Sequence, residues 1–333
     1  MENTYYGYEK KIGVLITNLG TPDSTSTRDL RKYLDEFLSD YRVVDWPRLL
    51  WLIILKGIIL NVRPRKSAEA YKEIWTENGS PLMVYSKNIT KKLKRRIETN
   101  NKNIEIKLAM RYGNPSIKKA MNEFKEKNIS KIIVFPLYPQ SGSPTTASTF
   151  DGVANYLKKQ IWMPNIRFIS GYHDNKLYIK SIADSIEDNF KKNGKPEKLI
   201  FSYHGMPQRY LKSGDPYFCF CHKTTRLVVE KLNLKSSDYL MAFQSRFGPE
   251  KWLQPYLDEK IVEYAKDGIK NIHIISPGFS VDCLETLEEI NMQYRELFIE
   301  NGGENFKYIK CLNEQDSHID MIQKIIMDNI AKW

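Results

Sequence analysis

Two short segments of the chain carry side chains suited to proton transfer and metal binding. His204 directly follows the apolar run 199–203 and precedes Gly205. An imidazole with an unperturbed pKa of about 6.5 can accept a proton or bind a transition metal at neutral pH. A lone histidine is more often a structural residue at a strand end, so this motif alone leaves both interpretations open. The other histidines lack such a setting, and His273, inside an apolar run, is expected in the core.

The second segment is acidic. A helix that starts near residue 281 would place Asp282, Glu285 and Glu289 on one face, at spacings i, i+3 and i+7. Glu288 would then point aside. Acids at a helix N-terminus often only complement the helix dipole. If they face His204, the same acids predict a site for metal binding and proton transfer.

The elements that must position these residues follow from an alternation of β-rich and helical runs, which predicts parallel sheets joined by crossover helices. In such sheets ligands bind at the carboxyl ends of strands, where both segments fall. The predicted strands are 12–16, 104–110 and 132–136 in the first half, then 165–170, 199–203, 239–243 and 272–275 in the second.

The chain therefore divides into two halves of similar α/β content. We expect one domain over residues 1–165 and another over 166–312, which carries His204 and Glu285. A last helix is expected within 313–333. No repeat or low-complexity linker separates the halves.

Composition is that of a globular protein, with 41% hydrophobic and 27% charged residues in a chain of 333. The longest apolar run, 49–60, is too short to span a bilayer, which needs about 20 residues. With no signal-peptide pattern and only four cysteines, the expected location is the cytoplasm. The net charge of +11 reflects either compositional drift or attraction to an anionic partner. The basic residues are scattered, so nucleic acid is not expected as a partner.

Both chemical segments belong to a longer series of motifs that covers nearly the whole chain. In order, these are LITNLGTP (15–22), GSPL (79–82), MRYG (110–113), YPQ (138–140), FSYHGMPQRY (201–210), GDPY (214–217), FQSRFGP (243–249), WL (252–253) and CLETLEE (283–289). The series closely resembles that of the ferrochelatases. The residues within the motifs, with Cys283 in the last one, resemble those of the Gram-negative branch.

The resemblance implies a lyase that inserts Fe²⁺ into protoporphyrin IX, releasing two protons and giving protohaem in the terminal step of haem biosynthesis. It implies an α/β fold of two similar Rossmann-like domains of the chelatase type. Each would have a parallel four-stranded sheet flanked by helices, with the active-site cleft between the domains. It assigns His204 and Glu285 as the catalytic pair that binds Fe²⁺ and accepts the macrocycle protons, and Asp282 and Glu289 as the path that leads protons or metal away. The positions that it implies for porphyrin contacts are Leu19, Arg111, Tyr112, Ser143, Trp252 and Phe279.

Residues 42–65, which we call the lip, contain an apolar stretch with arginines around it. As a buried helix the stretch would be core. In the family it forms a partly exposed edge of the cleft, and Trp46 and Trp51 beside Arg48 suit an interfacial membrane contact. We therefore expect peripheral contact with the inner membrane, and with the preceding oxidase of the porphyrin pathway.

The cysteines depart from the family wording at Cys219 and Cys221, where Phe218 replaces an expected proline. No cysteine follows Cys311, so the C-terminal ligands of a [2Fe–2S] cluster are missing, and no cofactor beyond the substrate Fe²⁺ is expected. Two alternatives remain open: a chelatase for another tetrapyrrole or metal, and a non-catalytic porphyrin or haem carrier.

Overall fold

The computed structural model describes residues 11–101 and 103–333. These residues form two compact units. Unit 1 comprises the described residues up to Leu137, together with Ser143–Gly171 and Ile319–Trp333. Unit 2 comprises Tyr138–Gly142 and Tyr172–His318. Each unit contains one parallel four-stranded sheet flanked by helices, as the resemblance implies.

The sheet of unit 1 has the strand order β2-β1-β3-β4. Its strands are β1 (Ile12–Gly20), β2 (Ile104–Tyr112), β3 (Lys131–Pro136) and β4 (Asn165–Phe168). The strand at 165 was expected to open the second half, and this prediction is wrong because β4 pairs in parallel with β3. The predicted boundary at 165/166 thus falls on a strand of the first sheet.

The sheet of unit 2 repeats this arrangement with the order β6-β5-β7-β8. Its strands are β5 (Lys198–His204), β6 (Tyr239–Gln244), β7 (Asn271–Ile275) and β8 (Asn305–Ile309). The last of these was not predicted. His204 ends β5 and lies opposite Gln244, which ends β6. His273 is buried within β7, as predicted.

Helices flank each sheet, so most residues of the central strands are buried and these strands are largely apolar. The α-helices of unit 1 are α1 (Thr27–Leu38), α2 (Arg48–Ile54), α3 (Leu60–Ile74), α4 (Pro81–Asn100), α5 (Ile117–Glu126), α6 (Ser148–Leu157) and most of α12 (Asp316–Ile330). Those of unit 2 are α7 (Lys176–Asn193), α8 (Gln208–Lys212), α9 (Tyr217–Leu232), α10 (Leu257–Lys266) and α11 (Arg295–Glu300). Within the described residues, three π-helical segments complete the set: π1 (Leu55–Ile59), π2 (Ser143–Ala147) and π3 (Glu285–Tyr294).

The C-terminal helix α12 packs on unit 1 through polar contacts. Arg96 of α4 forms an ion pair with Asp320. Arg167 of β4 donates hydrogen bonds to the main-chain oxygens of Asn329 and Lys332, and its guanidinium stacks on the ring of Trp333. The predicted separate segment 313–333 is therefore, from residue 319 onward, part of the first unit.

The lip is partly exposed, as predicted. Leu49 is 81% exposed and Ile53 is 70% exposed. Trp51, however, was expected at the membrane-facing surface and is 93% buried, since only 7% of it is exposed. Its indole nitrogen donates a hydrogen bond to the main-chain oxygen of Leu38 at 2.7 Å, which fixes Trp51 in the core of unit 1. Among the described residues no helix is both long and apolar enough to cross a membrane.

Candidate active site

His204 stands at the carboxyl end of β5 in unit 2, half-buried. Its Nδ1 lies 2.7 Å from the main-chain oxygen of Gly205. Because a carbonyl oxygen can only accept, Nδ1 carries the hydrogen and the neutral ring keeps its lone pair on Nε2. The histidine therefore presents a free base, which can take a proton or bind a metal ion.

Gly205 allows the chain after His204 to approach Gln244 and Trp252 closely. Its N–H donates to the main-chain oxygen of Gln244 at 2.8 Å. A Cβ atom at this position would lie 2.6 Å from that oxygen and 3.0 Å from Cε3 of Trp252. Glycine is required here for space, and the residue type follows from the contact rather than from backbone conformation.

The acidic segment forms π3, whose i→i+5 hydrogen bonds give a wider turn than an α-helix. Glu285 is its first residue and Glu289 follows four residues later. Both are half-buried. Glu288 instead accepts a solvent-exposed hydrogen bond from Gln293 Nε2 at 2.6 Å.

Asp282 does not share the helical face that the sequence predicts. The helix begins at Leu284, not near residue 281. The carboxylate of Asp282 is buried and accepts hydrogen bonds from the Tyr308 hydroxyl at 2.6 Å and from Asn313 Nδ2 at 2.7 Å. These contacts, together with one from the main-chain N–H of Cys311, hold Asp282 in the connection that precedes the helix.

Gln244 links the strand ends to π3, and sequence reasoning did not single it out. Its Oε1 accepts a hydrogen bond from the Ser202 hydroxyl at 2.7 Å. Its Nε2 donates to the main-chain oxygen of Glu285 at 2.9 Å and to Glu289 Oε2 at 3.1 Å. The glutamine thus fixes the first turn of π3 against β5 and β6. Its signals in the sequence were its place directly after the predicted strand 239–243 and within the motif FQSRFGP.

Glu289 receives two further hydrogen bonds. The Ser245 hydroxyl donates to Oε2 at 2.6 Å and the Tyr294 hydroxyl donates to Oε1 at 3.0 Å. Burial raises the pKa of Glu289 above 4.5, although the hydrogen bonds from Ser245 and Gln244 and the nearby His204 favour its charged form, and the Glu285 carboxylate adds to the rise. Glu289 therefore interacts electrostatically with both His204 and Glu285.

Cys283 lies two residues before Glu285 and is buried. Burial raises the pKa of its thiol, and the neighbouring Glu285 carboxylate raises it further. Cys283 is therefore a neutral thiol at neutral pH. Within the described ranges no three histidine, cysteine or acidic side chains form a ready-made metal site.

In unit 1 a buried ion pair occupies the carboxyl end of β2. Arg111 forms an ion pair with Asp40, and its Nε donates to the Ser148 hydroxyl at 2.7 Å. Asp40 Oδ2 also accepts hydrogen bonds from the hydroxyls of Tyr112 at 2.8 Å and Ser148 at 2.6 Å. Burial alone would raise the pKa of Asp40, but the hydrogen bond from Ser148 and the contacts of Arg42, Arg111 and Tyr112 lower it below 3.8.

Comparison with known proteins decides the family. The sequence model of the ferrochelatase family matches residues 11–330. The chain is 49% identical over 337 aligned residues to the ferrochelatase of Marinobacter nauticus, covering 100% of this chain and 90% of that protein. It is 50% identical to ferrochelatase 2 of Shewanella oneidensis, covering 95% and 97%. The chain belongs to the ferrochelatase family. The resemblance drawn from the motifs is confirmed, and both relatives come from Gram-negative bacteria.

Solved structures support the fold independently of sequence. The sirohydrochlorin chelatase SirB from Bacillus subtilis subspecies spizizenii, in complex with cobalt, has a TM-score of 0.55 at 10% identity, over 96% of this chain and 94% of that one. SirB from Bacillus subtilis with Fe³⁺ has a TM-score of 0.54 at 8% identity, over 96% and 95%. At such identities the likeness shows the chelatase fold alone.

The porphyrin-contacting positions that the ferrochelatase resemblance implies are distributed over both units. In unit 1, Leu19 is half-buried near the end of β1, and Ser143 opens π2. In unit 2, Trp252 is buried against the Gly205 segment and Phe279 is half-buried in the loop after β7. Tyr112 has no exposed surface, so in this conformation its side chain supports Arg111 rather than facing a ligand.

The cysteines of this ferrochelatase-family chain are all free thiols. Cys219 is exposed on α9, whereas Cys221, Cys283 and Cys311 are buried. Burial raises the pKa of each of the three buried thiols.

Proposed function

We propose that this protein inserts Fe²⁺ into protoporphyrin IX, forming protohaem and releasing two protons, with His204 and Glu285 as the catalytic pair. Family membership over residues 11–330 carries the assignment to the iron-inserting lyases. What supports the choice of residues is the position of His204 at the carboxyl end of β5 and the electrostatic interaction of Glu289 in π3 with both His204 and Glu285.

His204 is proposed as the first proton acceptor. Its Nδ1–H is committed to the Gly205 oxygen, so Nε2 is free to take a proton from a pyrrole nitrogen. The same lone pair suits Fe²⁺, which accepts imidazole readily. A ring oriented by one carbonyl is already positioned for the transfer, which removes orientational freedom before the reaction.

Glu285 is proposed to stabilise the incoming cation, and Glu289 to relay protons away from His204. Glu289 is well suited to a relay because burial raises its pKa while Ser245 and Gln244 hold the carboxylate in place. Asp282 keeps the predicted role at the far end of the path only as a proposal. Its four hydrogen-bond donors indicate that it also fixes the start of π3.

For the porphyrin we propose contacts from Leu19, Arg111 and Ser143 of unit 1, and from Trp252 and Phe279 of unit 2. Leu19 offers an apolar side chain near the end of β1. Such a side chain suits contact with the apolar face of the macrocycle. Arg111 is held by Asp40 and Ser148, so its remaining N–H groups are oriented donors for a propionate. Tyr112 is proposed to act through this pair and not by direct contact.

We also propose a cytoplasmic protein that contacts the inner membrane peripherally through the lip. The exposed side chains of Leu49 and Ile53, with Arg48 beside them, form the kind of apolar and basic surface that lies in a headgroup region. Contact with the membrane would bring the protein near the preceding pathway oxidase, the source of a poorly soluble porphyrin. No cofactor beyond the substrate Fe²⁺ is proposed.

Two other functions are tested by the same experiment. A chelatase for another tetrapyrrole would share the fold, and a haem carrier would need an apolar slot but no proton-accepting cluster. Purified protein is mixed anaerobically with protoporphyrin IX and Fe²⁺, or aerobically with Zn²⁺, and the metalloporphyrin absorption bands are followed. Catalytic insertion into protoporphyrin supports the proposal. Tight porphyrin binding without turnover supports the carrier, and turnover only with another tetrapyrrole supports the alternative chelatase.

A further inference from the structure

The loop that joins β6 to α10 in unit 2 is anchored at its beginning. Ser245 adopts a left-handed backbone conformation, with φ of 65°, and its hydroxyl binds Glu289. Arg246 forms ion pairs with Asp258 and Glu259 of α10, and its guanidinium lies 4.1 Å from the ring centre of Tyr256. The first two residues of the loop are thus fixed to its surroundings.

The end of the loop is also anchored, along the segment that follows His204. Trp252 forms an antiparallel bridge with Pro207, and the main-chain N–H of Leu253 donates to the oxygen of Met206 at 2.9 Å. Arg209 forms an ion pair with Glu250. Since both ends are held, the residues between them have a defined place.

Phe247 is a large apolar residue of this loop that is not buried, because 57% of it is exposed. Its ring packs on Trp252 in a tilted arrangement, with a centroid distance of 4.8 Å. A large aromatic side chain fixed in water forgoes the burial that normally stabilises it. Neither the motifs nor the family resemblance assigned a role to Phe247 itself.

The Phe247 ring is linked to the segment of the catalytic histidine through Trp252. Phe247 packs on Trp252, and Trp252 packs on Gly205, where a Cβ would meet its ring at 3.0 Å. Gly205 follows His204 and supplies the carbonyl that orients it. At the other side of the loop, Ser245 reaches Glu289.

We infer that Phe247 is a further binding contact for the porphyrin, packing the exposed part of its ring on the apolar surface of the macrocycle. This inference rests on the proposed function and adds a residue to it. The contact is present before and after metal insertion, so it contributes equally to ground state and transition state. Its loss is expected to weaken porphyrin binding and leave the rate of the bound complex unchanged.

The test is porphyrin binding in the absence of metal. Protoporphyrin IX is titrated into the wild-type protein and Phe247→Ala, and the quenching of tryptophan fluorescence gives the dissociation constant. We expect about a tenfold increase for Phe247→Ala, the scale set by removing an aromatic contact of this size. Phe247→Leu, which keeps an apolar side chain, should restore most of the affinity. Ile299→Ala, which truncates another exposed apolar residue of unit 2, should bind as the wild type does.

Zn²⁺ insertion at saturating porphyrin separates this inference from the proposed function. For Phe247→Ala we expect kcat within about twofold of wild type, with an unchanged thermal melting temperature. Unaltered porphyrin affinity in this variant overturns the inference, and so does a loss of kcat that accompanies a lower melting temperature. If the wild type binds porphyrin but inserts no metal, the proposed function fails, while the affinity ratio still decides the role of Phe247.

Discussion

Replacing Gly205 with alanine would place a methyl carbon 2.6 Å from the main-chain oxygen of Gln244. Contacts of real Cβ atoms essentially never fall below 3.0 Å and become ordinary at 3.4 Å, so the two segments must separate by 0.4–0.8 Å. The main-chain oxygen that orients His204 belongs to Gly205 itself. A misplacement of about 1 Å can reduce a catalytic rate about 10²-fold. We therefore expect a decrease in kcat of roughly 10- to 100-fold, or about 1.4–2.7 kcal/mol in activation free energy.

Steady-state Zn²⁺ or Fe²⁺ insertion into protoporphyrin measures this effect, with circular dichroism melting as a check on folding. Gly57→Ala is the matched control, since a Cβ at Gly57 meets no atom within 4 Å and its φ is not in the left-handed region. That variant should retain wild-type kcat. If Gly205→Ala remains within about threefold of wild type, the close approach of Gly205 to Gln244 does not position His204, and the account of histidine orientation given above is refuted.

Three other variants test separate parts of the molecule. Glu285→Gln removes the charge and basicity of the proposed catalytic carboxylate and should lower kcat by roughly 10²–10⁴-fold, whereas Glu288→Gln should change it little; equal effects in the insertion assay would assign both acids to the helix dipole. Ile53→Glu should reduce co-sedimentation with anionic lipid vesicles about tenfold or more, and unchanged binding would exclude the lip as the contact. Asp40→Asn breaks a buried ion pair and should lower the free energy of unfolding by about 3 kcal/mol in urea titrations, against at most about 1 kcal/mol for the half-exposed Asp151→Asn. Because the folded-state pKa of Asp40 is lowered below 3.8, this stabilisation is complete above that pH and lost as the pH falls through the lower folded-state value.

The residues most visible in the sequence were those that end apolar strands. His204 was found because a β-rich run stops there, and a parallel sheet brings its carboxyl ends to one edge. Gln244 ends the neighbouring strand in the same way, but a glutamine carries no chemistry of its own and draws attention only when its three hydrogen bonds are known. Sequence patterns rank residues by reactivity, and positioning residues rank low.

The start of π3 could not be read from spacing. An α-helical period favours Asp282 on the common face, but side chains distant in sequence, Tyr308 and Asn313, bind its carboxylate and delay the helix to Leu284. Long-range hydrogen bonds of this kind leave no local signature. The burial of Trp51 is a similar case, since a carbonyl in α1 accepts the hydrogen bond that its indole donates.

The division of the chain between units has a consequence for biosynthesis. Unit 1 is completed by residues 319–333, whose helix is held by Arg96 and Arg167. Domains generally fold in the order in which the ribosome releases them, the N-terminal one first. Here that order is inverted, because all of unit 2 is translated before the last helix of unit 1 exists. Until residues 319–333 have been translated, Arg96 and Arg167 lack the helix that they hold, so unit 1 cannot be completed before the whole of unit 2 has been synthesised.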